Sequence, residues 1–205
     1  MSFDYPPLGN GTYPPYLTSD SYFSDAVFTQ NLQVDGTGLY TVLTSATTGN
    51  LYVSGSTSFP GGISGPAADF FALMPGDNSA TIAGGTPVLF PQNGPTNGPY
   101  ITSNGPQVGT FTLANVGTYQ VKFQASVAES GQLVVVLNNV QQTSTQVGRA
   151  TGTCQIVGNS LVTTTVPNTV LSINNPSGNT PALTLTPTAG GTHSVSAHLV
   201  IKQLF

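Results

Sequence analysis

Alternating apolar and polar side chains mark the clearest secondary structure in this chain, between residues 117 and 128. In the run GTYQVKFQASVA, one face carries Tyr119, Val121, Phe123, Ala125 and Val127, and polar residues stand between them. Successive side chains of a β-strand point to opposite sides of the sheet, so a period of two indicates a strand buried on one face. We therefore predict a strand over 117–128 that covers an apolar core.

Similar short runs recur from residue 69 to the C-terminus, separated by glycine, proline and asparagine turn signals. Apolar runs stand at 69–74, 87–90 and 109–113, and further strands are predicted at 132–138, 155–165, 169–174, 182–186 and 194–204. No helical period lasts for a dozen residues. Many short antiparallel strands over this length predict an all-β domain built as a sandwich, jelly roll or barrel.

A short repeat lies within residues 27–66, where the pattern N-L-x-V-x-G-[T/S] begins at Asn31 and again at Asn50. Leucine and valine alternate with polar positions, and each glycine permits a tight turn, so both copies are typical of short strands. So short a stretch buries too little apolar area to fold alone. We predict a β-repeat shaft in which three chains cover each other's apolar positions, or alternatively a hairpin packed on the main domain. The proline- and glycine-rich end of this stretch places a domain boundary near Pro66.

The first 26 residues contain two proline pairs, each next to tyrosines, in the sequence MSFDYPPLGNGTYPPYLTSDSYFSDA. Proline fixes φ and lacks an N–H donor, so this stretch favours extended backbone over a helix or a central strand. Six aromatic residues within it offer contact area for a partner. We predict that residues 1–26 are an extended anchoring peptide that docks on another protein; a disordered tail is the alternative.

Charged residues make up only 5% of the chain, with three Lys and Arg against seven Asp and Glu, compared with roughly 25% in an average soluble protein. So few cations argue against nucleic-acid binding and adhesion to acidic membranes. Two histidines and one cysteine are a poor supply for catalysis, metal binding or cofactor chemistry, so we predict no enzyme, metal or cofactor. No apolar run reaches the length of a membrane span, and the N-terminus lacks the segments of a secretory signal.

Three stretches resemble the C-terminal head of the collagen-like exosporium glycoprotein BclA family of Bacillus spores. They are 117–139, 147–165 and 175–205, and the run DFFALMPGDN at 69–78 with Phe90-Pro91 is similar to the start of the same head. The resemblance covers residues 67–205. It implies a jelly roll of the tumour-necrosis-factor and complement-head type, assembled as a homotrimer.

The collagen stalk of that family is missing, since glycine does not recur at every third position. The repeats at 27–66 instead resemble the short shaft repeats of phage and viral tail fibres. We therefore expect a trimeric virion fibre or spike with three parts. Residues 1–26 would anchor it to capsid or tail, and a shaft at 27–66 would carry a jelly-roll head at 67–205 for surface decoration or host attachment. A spore-surface location and a soluble lectin-like glycan-binding module are the two alternatives.

Four single residues are candidate functional positions, and for each an ordinary structural role competes. Arg149 would form a charged hydrogen bond at a trimer interface or lie solvated at a strand end. Cys154 is expected to be an inert thiol, because no basic residue stands near it in sequence. His198 falls on the polar face of its predicted strand. His193 and His198 are weak candidates for a pH-sensitive or metal-binding ring on a symmetry axis.

The amide-rich segments 92–98 and 174–179 are predicted to be exposed loops, and their amides suit the hydroxyl groups of glycans. The carboxylates Asp69, Asp77 and Glu129 lack the spacing of a calcium loop. No catalytic, metal or cofactor residue is therefore assigned, and a host glycan or receptor is the only ligand expected at the head.

Overall fold

The computed structural model describes residues 65–152 and 154–205. The predictions for the anchoring peptide 1–26, and for the shaft except its last two residues, lie outside the described residues. The described part consists of strands, turns and two short 3-10 segments at 76–78 and 143–145. The strands are β1 (Ala67–Leu73), β2 (Gln92–Asn97), β3 (Ile101–Ser103), β4 (Thr110–Leu113), β5 (Gly117–Val127), β6 (Gly131–Leu137), β7 (Val140–Gln141), β8 (Val147–Arg149), β9 (Cys154–Thr164), β10 (Thr169–Asn174) and β11 (Ser196–Gln203).

The strands form two antiparallel sheets with the orders β2-β1-β11-β5-β9 and β3-β4-β10-β6-β7, and β8 also pairs with β6. The pairing is nested: β1 pairs with β11, β4 with β10, β5 with β9, and β6 with β7. Such nesting describes one long hairpin that is rolled up, with β11 then pairing with β5 and β10 with β6. This connectivity is that of a jelly roll, so the predicted all-β jelly-roll fold is confirmed.

Alternation along each strand places the apolar side chains between the two sheets. Phe70 of β1 and Phe111 of β4 come from opposite sheets, and their ring centroids lie 4.4 Å apart at an interplanar angle of 38°. Phe90 contacts the same Phe111 ring at 6.4 Å. The inner face of β5 is almost completely buried, as its sequence pattern predicts. Its buried residues are Tyr119, Val121, Phe123, Ala125 and Val127.

A glycine makes room for the largest of these side chains in the neighbouring strand. Gly158 of β9 lies opposite Phe123 of β5 and faces the core. A methyl group added at Gly158 would lie 2.3–2.9 Å from three atoms of the Phe123 ring. The ring is only 1% exposed and is surrounded by core residues, so it has little space to move away. The glycine therefore allows the aromatic ring to pack flat against the neighbouring strand.

Most of the predicted strands are confirmed. The predictions 117–128, 132–138, 155–165, 169–174 and 194–204 correspond to β5, β6, β9, β10 and β11, and their ends differ by at most two residues. The prediction for 182–186 is wrong. Leu183 forms an isolated bridge with Ile82 and Leu185 forms one with Val127, so this segment bonds to two different neighbours instead of following one. Residues 87–90 do not form a strand either, although Val88 is buried and donates its N–H to the Ile173 carbonyl at 2.8 Å.

Candidate interaction surface

The outer side of the five-stranded sheet exposes apolar side chains at its β9 end. Odd-numbered residues of β9 from 155 to 163 point outward, and of these Val157 and Leu161 are 48% and 59% exposed. They lie opposite Gln124 and Gln120 of β5. We call the outward-facing residues of these two strands the β5–β9 face. It combines two apolar side chains with neutral polar ones and one exposed charge, Lys122 of β5, which lies opposite Asn159. Such a mixed surface suits contact with another protein better than catalysis.

The β9 strand is also the longest sheet edge in the described residues. It contains 11 residues and, within its sheet, pairs only with β5. The other three end strands, β2, β3 and β7, have six, three and two residues. A long edge strand presents unpaired main-chain groups, and natural proteins normally shorten, bulge or charge such edges. The β9 sequence CQIVGNSLVTT carries no charge and no proline, so none of these protections is present.

A second cluster on the same side of the sheet surrounds His198 of β11. Its Nδ1 lies 3.5 Å from Oδ1 of Asp69, and its Nε2 lies 2.8 Å from Oγ of Ser196. The ring stacks on Phe71 at a centroid distance of 5.8 Å. The strand neighbours of His198 point into the core, which confirms that it lies on the polar face. These contacts fix the ring as a polar strand residue, and its predicted role in a symmetric ring stays untested.

A cavity of about 330 Å³ opens at the other edge of this sheet, where β1 meets β2 and the segment leading into β3. The register of β2 against β1 shifts between Ala68 and Phe70, so β2 carries an extra residue there. This β-bulge lies beside Asp69 and contains Gly94, whose added methyl group would be 2.7 Å from Asp69 Oδ2. Bulges at sheet edges commonly redirect side chains near binding sites.

The predicted glycan loops are only partly loops. Residues 92–97 form the edge strand β2, so the prediction of a loop at 92–98 is wrong, although several of these residues line the cavity. The segment 174–179 is not uniformly exposed either: Asn174 ends β10, and Asn175 is completely buried. A buried amide that bonds to main-chain carbonyls cannot reach a glycan, so this segment is a structural junction.

The remaining single-residue predictions have different outcomes. Arg149 ends β8 opposite Gly131, and its exposed position fits both a solvated strand end and an interface contact. Cys154 begins β9 opposite Val127, and its predicted inertness stays a prediction. His193 is exposed in the segment before β11 and lies outside the His198 cluster. The structure therefore does not bring these residues together into one site.

Two ionisable groups have shifted pKa values with structural causes. Burial raises the pKa of the Tyr119 hydroxyl, which donates to the Asn115 carbonyl at 2.7 Å. For Glu129, burial acts to raise the pKa, but hydrogen bonds outweigh it and the net shift is downward. Its Oε2 accepts the Thr184 N–H at 2.6 Å. Both groups hold turns at the ends of β5 in place and lie apart from the β5–β9 face.

Within residues 65–152 and 154–205, no three His, Cys, Asp or Glu side chains lie close enough together to hold a metal ion. In the same residues, no helix has the length and apolar character needed to cross a membrane.

No protein-family model and no curated protein matches the chain. Solved structures similar to it include the globular domain of zebrafish complement 1qA protein, at 14% identity and a TM-score of 0.46. That match covers 68% of this chain and 98% of the complement domain. Murine APRIL at pH 8.5 is also similar, at 14% identity and a TM-score of 0.46, over 67% of this chain and 99% of APRIL. The fold is assigned here from the strand order and register alone, and these similarities, with TM-scores of 0.46, carry no part of that assignment.

Proposed function

We propose that this protein is a structural surface fibre or spike subunit whose jelly-roll head assembles with two further copies through the β5–β9 face. The observation that carries the proposal is the long β9 edge strand. It has no charged residue and no proline, and two of its own residues, Val157 and Leu161, are exposed. Covering these side chains removes apolar area from water at roughly 25 cal/mol per Å². The sequence resemblance to a trimeric head supports three copies rather than two.

The low charge of the protein favours self-association through the β5–β9 face. With only ten charged side chains from seven acids and three bases, the protein has little electrostatic repulsion to keep exposed apolar strands apart. Closed rotational symmetry buries such strands without leaving a free end for further growth. A trimer also presents three heads at once, so that weak attachment at each head is strengthened by multivalency. These properties suit decoration of a particle or attachment to a host, and they need no catalytic residue.

The assembly is tested by measuring molar mass in solution by light scattering. The wild-type chain is expected at three times the 21.0 kDa of one chain. Leu161→Asp places a charge on the β5–β9 face and should yield monomers that keep the β-rich circular dichroism spectrum. Val140→Asp is the matched control, because Val140 is 63% exposed on β7 at the edge of the other sheet. A monomeric wild type, or a variant at Leu161 that remains trimeric, would contradict the proposal.

The virion setting is a separate part of the proposal, supported by the viral-fibre resemblance of the repeats at 27–66 and by the aromatic, proline-rich peptide 1–26. Deletion of residues 1–26 should abolish incorporation into particles while the head still forms trimers. Copurification of the full chain with capsid or tail subunits would support a virion fibre. Copurification with spore-coat filaments would instead favour the spore alternative, and unchanged incorporation after the deletion would refute the anchoring role.

A further inference from the structure

The outer face of the five-stranded sheet brings a serine, a histidine and an aspartate into a chain of contacts. Ser196 and His198 stand two residues apart on β11, so their side chains share that face, and Asp69 of β1 lies beside them. Oγ of Ser196 is 2.8 Å from Nε2 of His198. The other ring nitrogen, Nδ1, is 3.5 Å from Oδ1 of Asp69. The histidine therefore links a hydroxyl group on one side to a carboxylate on the other.

The position of Asp69 determines which ring nitrogen carries the proton. Its Oδ1 is buried, and no hydrogen bond to this oxygen occurs within the residues that the structure describes. A carboxylate oxygen only accepts hydrogen bonds, so its favourable interaction with a neutral imidazole requires the proton on Nδ1. Nε2 of His198 then keeps its lone pair, and the hydroxyl group of Ser196 donates to it. This is the direction of hydrogen bonding in which a histidine can take a proton from a serine.

Packing and exposure support the same arrangement. The His198 ring stacks on Phe71 at an interplanar angle of 29°, and this contact limits its rotation. The side chains of His198 and Asp69 are 37% and 26% exposed, and Ser196 is half-buried, so the hydroxyl group is accessible to a small molecule. Leu73 lies opposite Ser196 in the pairing of β1 with β11 and is 55% exposed. It provides an apolar surface for the acyl part of an ester.

We propose that Ser196 is a nucleophile toward activated carboxylic esters, with His198 as its general base and Asp69 as the residue that positions the histidine. Oγ of Ser196 attacks the carbonyl carbon while its proton moves to Nε2. The ester C–O bond then breaks, the leaving group departs as an anion, and the proton on Nε2 passes to solvent. Water next attacks the acyl group and gives a proton to Nε2, which passes it to Oγ of Ser196 as the carboxylic acid leaves.

The surroundings of the site restrict it to esters with a good leaving group. β11 lies between β1 and β5, so its main-chain N–H groups are largely used in the sheet and provide little stabilisation for an oxyanion. General-base catalysis alone contributes about 10²–10⁴-fold to a rate. An aryl ester suits such a site, because its phenolate leaves without being protonated. The inference goes beyond the proposed assembly and stands without it, since all three side chains belong to one chain.

The test treats the full chain with p-nitrophenyl acetate and measures release of p-nitrophenolate, together with mass spectrometry of the acid-quenched protein. The wild type should release nitrophenolate about tenfold faster than Ser196→Ala, or more, and an acetyl group should be found on Ser196. Ser196→Ala retains His198, so the comparison subtracts direct attack by the imidazole. His193→Ala is the matched control, because His193 is exposed and lies outside the cluster, and it should leave the rate unchanged.

Asp69→Asn separates a positioning role from a merely structural one. An amide at this position can donate to Nδ1, which favours the proton on Nε2 and removes the acceptor for the Ser196 hydroxyl group. The rate of nitrophenolate release should therefore fall about tenfold or more. Nitrogen NMR of the labelled His198 imidazole at about pH 8, where the ring is neutral, should show the proton moving from Nδ1 to Nε2. An unchanged tautomer together with an unchanged rate would refute the role of Asp69.

Two outcomes would overturn the nucleophile itself. One is release by the wild type that is no faster than release by Ser196→Ala. The other is an acetyl group that is recovered only on other residues. The result is separate from the trimer, because a monomeric Leu161→Asp head should still be acetylated at Ser196, and an unreactive trimer refutes only the nucleophile.

Discussion

Asn175 connects two non-strand segments of the sandwich, and its replacement is the most direct test of how the head is held together. The side chain is fully buried. Its Nδ2 donates to the carbonyls of Ile82 at 3.0 Å and Pro181 at 3.1 Å, and its Oδ1 accepts from Nδ2 of Asn179 at 3.1 Å. These bonds tie the segment before β2 to the connection between β10 and β11, and neither forms a regular strand there.

Asn175→Ala removes all three side-chain hydrogen bonds. At about 0.5–1.5 kcal/mol each, and with the Pro181 carbonyl losing this donor, the free energy of unfolding should fall by about 2–4 kcal/mol. The Ile82 carbonyl loses less, because it still accepts the Leu183 N–H at 2.9 Å.

Asn175→Asp keeps the shape but replaces the donor with a carboxylate that faces two carbonyl oxygens. At neutral pH it should cost at least as much as Asn175→Ala. Asn179 still donates to Oδ1, but the second carboxyl oxygen is buried against two carbonyls, and this raises the folded-state pKa of the introduced carboxyl above its unfolded value of about 3.9. The stability of this variant relative to the wild type should therefore be greatest below about pH 4 and fall as the pH rises.

The assay is urea unfolding followed by tyrosine fluorescence and circular dichroism, since the chain contains no tryptophan. Equal protein concentrations are needed because assembly adds to apparent stability. Asn104→Ala is the matched control. Asn104 is exposed, donates to the Thr110 hydroxyl and accepts from Thr112, so its loss should cost less than about 1 kcal/mol. If Asn175→Ala costs no more than this control, Asn175 is not the junction described above.

Two further changes test the core and the electrostatics of the head. Gly158→Ala should lower the free energy of unfolding by about 1–3 kcal/mol through collision with the buried Phe123 ring, measured by urea unfolding; a double variant with Phe123→Leu should recover part of the loss, and additive losses would contradict the collision. Because the pKa of Glu129 is lowered in the folded state, its contribution is present above the unfolded value of about 4.3 and is lost as the pH falls through the folded value. Glu129→Gln keeps an acceptor for Thr184 and should flatten this acid dependence, whereas an unchanged acid profile would refute the assignment.

The fold was predictable where side-chain alternation is long and the partner strand is regular. The 11-residue strand β5 shows this best, because Tyr119 to Val127 alternate strictly and all face the core. Alternation fails for β2, where Gln92–Asn97 contain a glycine, a proline and only polar side chains. Those residues form a strand because they pair with β1 through a bulge in β2, and a single segment does not encode that pairing. The burial of Asn175 likewise depends on the Ile82 carbonyl, which is distant in sequence.

The candidate surfaces were harder to predict than the fold. The two apolar residues of the β5–β9 face belong to a strand whose existence was predictable, but its position at a sheet edge follows only from the rolled-up hairpin. Asp69 was considered only as a possible calcium ligand, and the β2 bulge beside it follows only from the pairing of β1 with β2. The sequence Asn93-Gly94-Pro95 was the available signal, since glycine and proline within a strand indicate a bulge or an edge.

The two edges of the five-stranded sheet differ in how readily each would pair with another surface. β2 is short, bulged, polar and interrupted by Pro95, so it resists pairing with another strand and leaves a cavity open beside it. β9 is long and regular, carries neither charge nor proline, and exposes Val157 and Leu161. An edge of the second kind is a liability unless another surface covers it. Assembly is therefore expected at β9 rather than at β2.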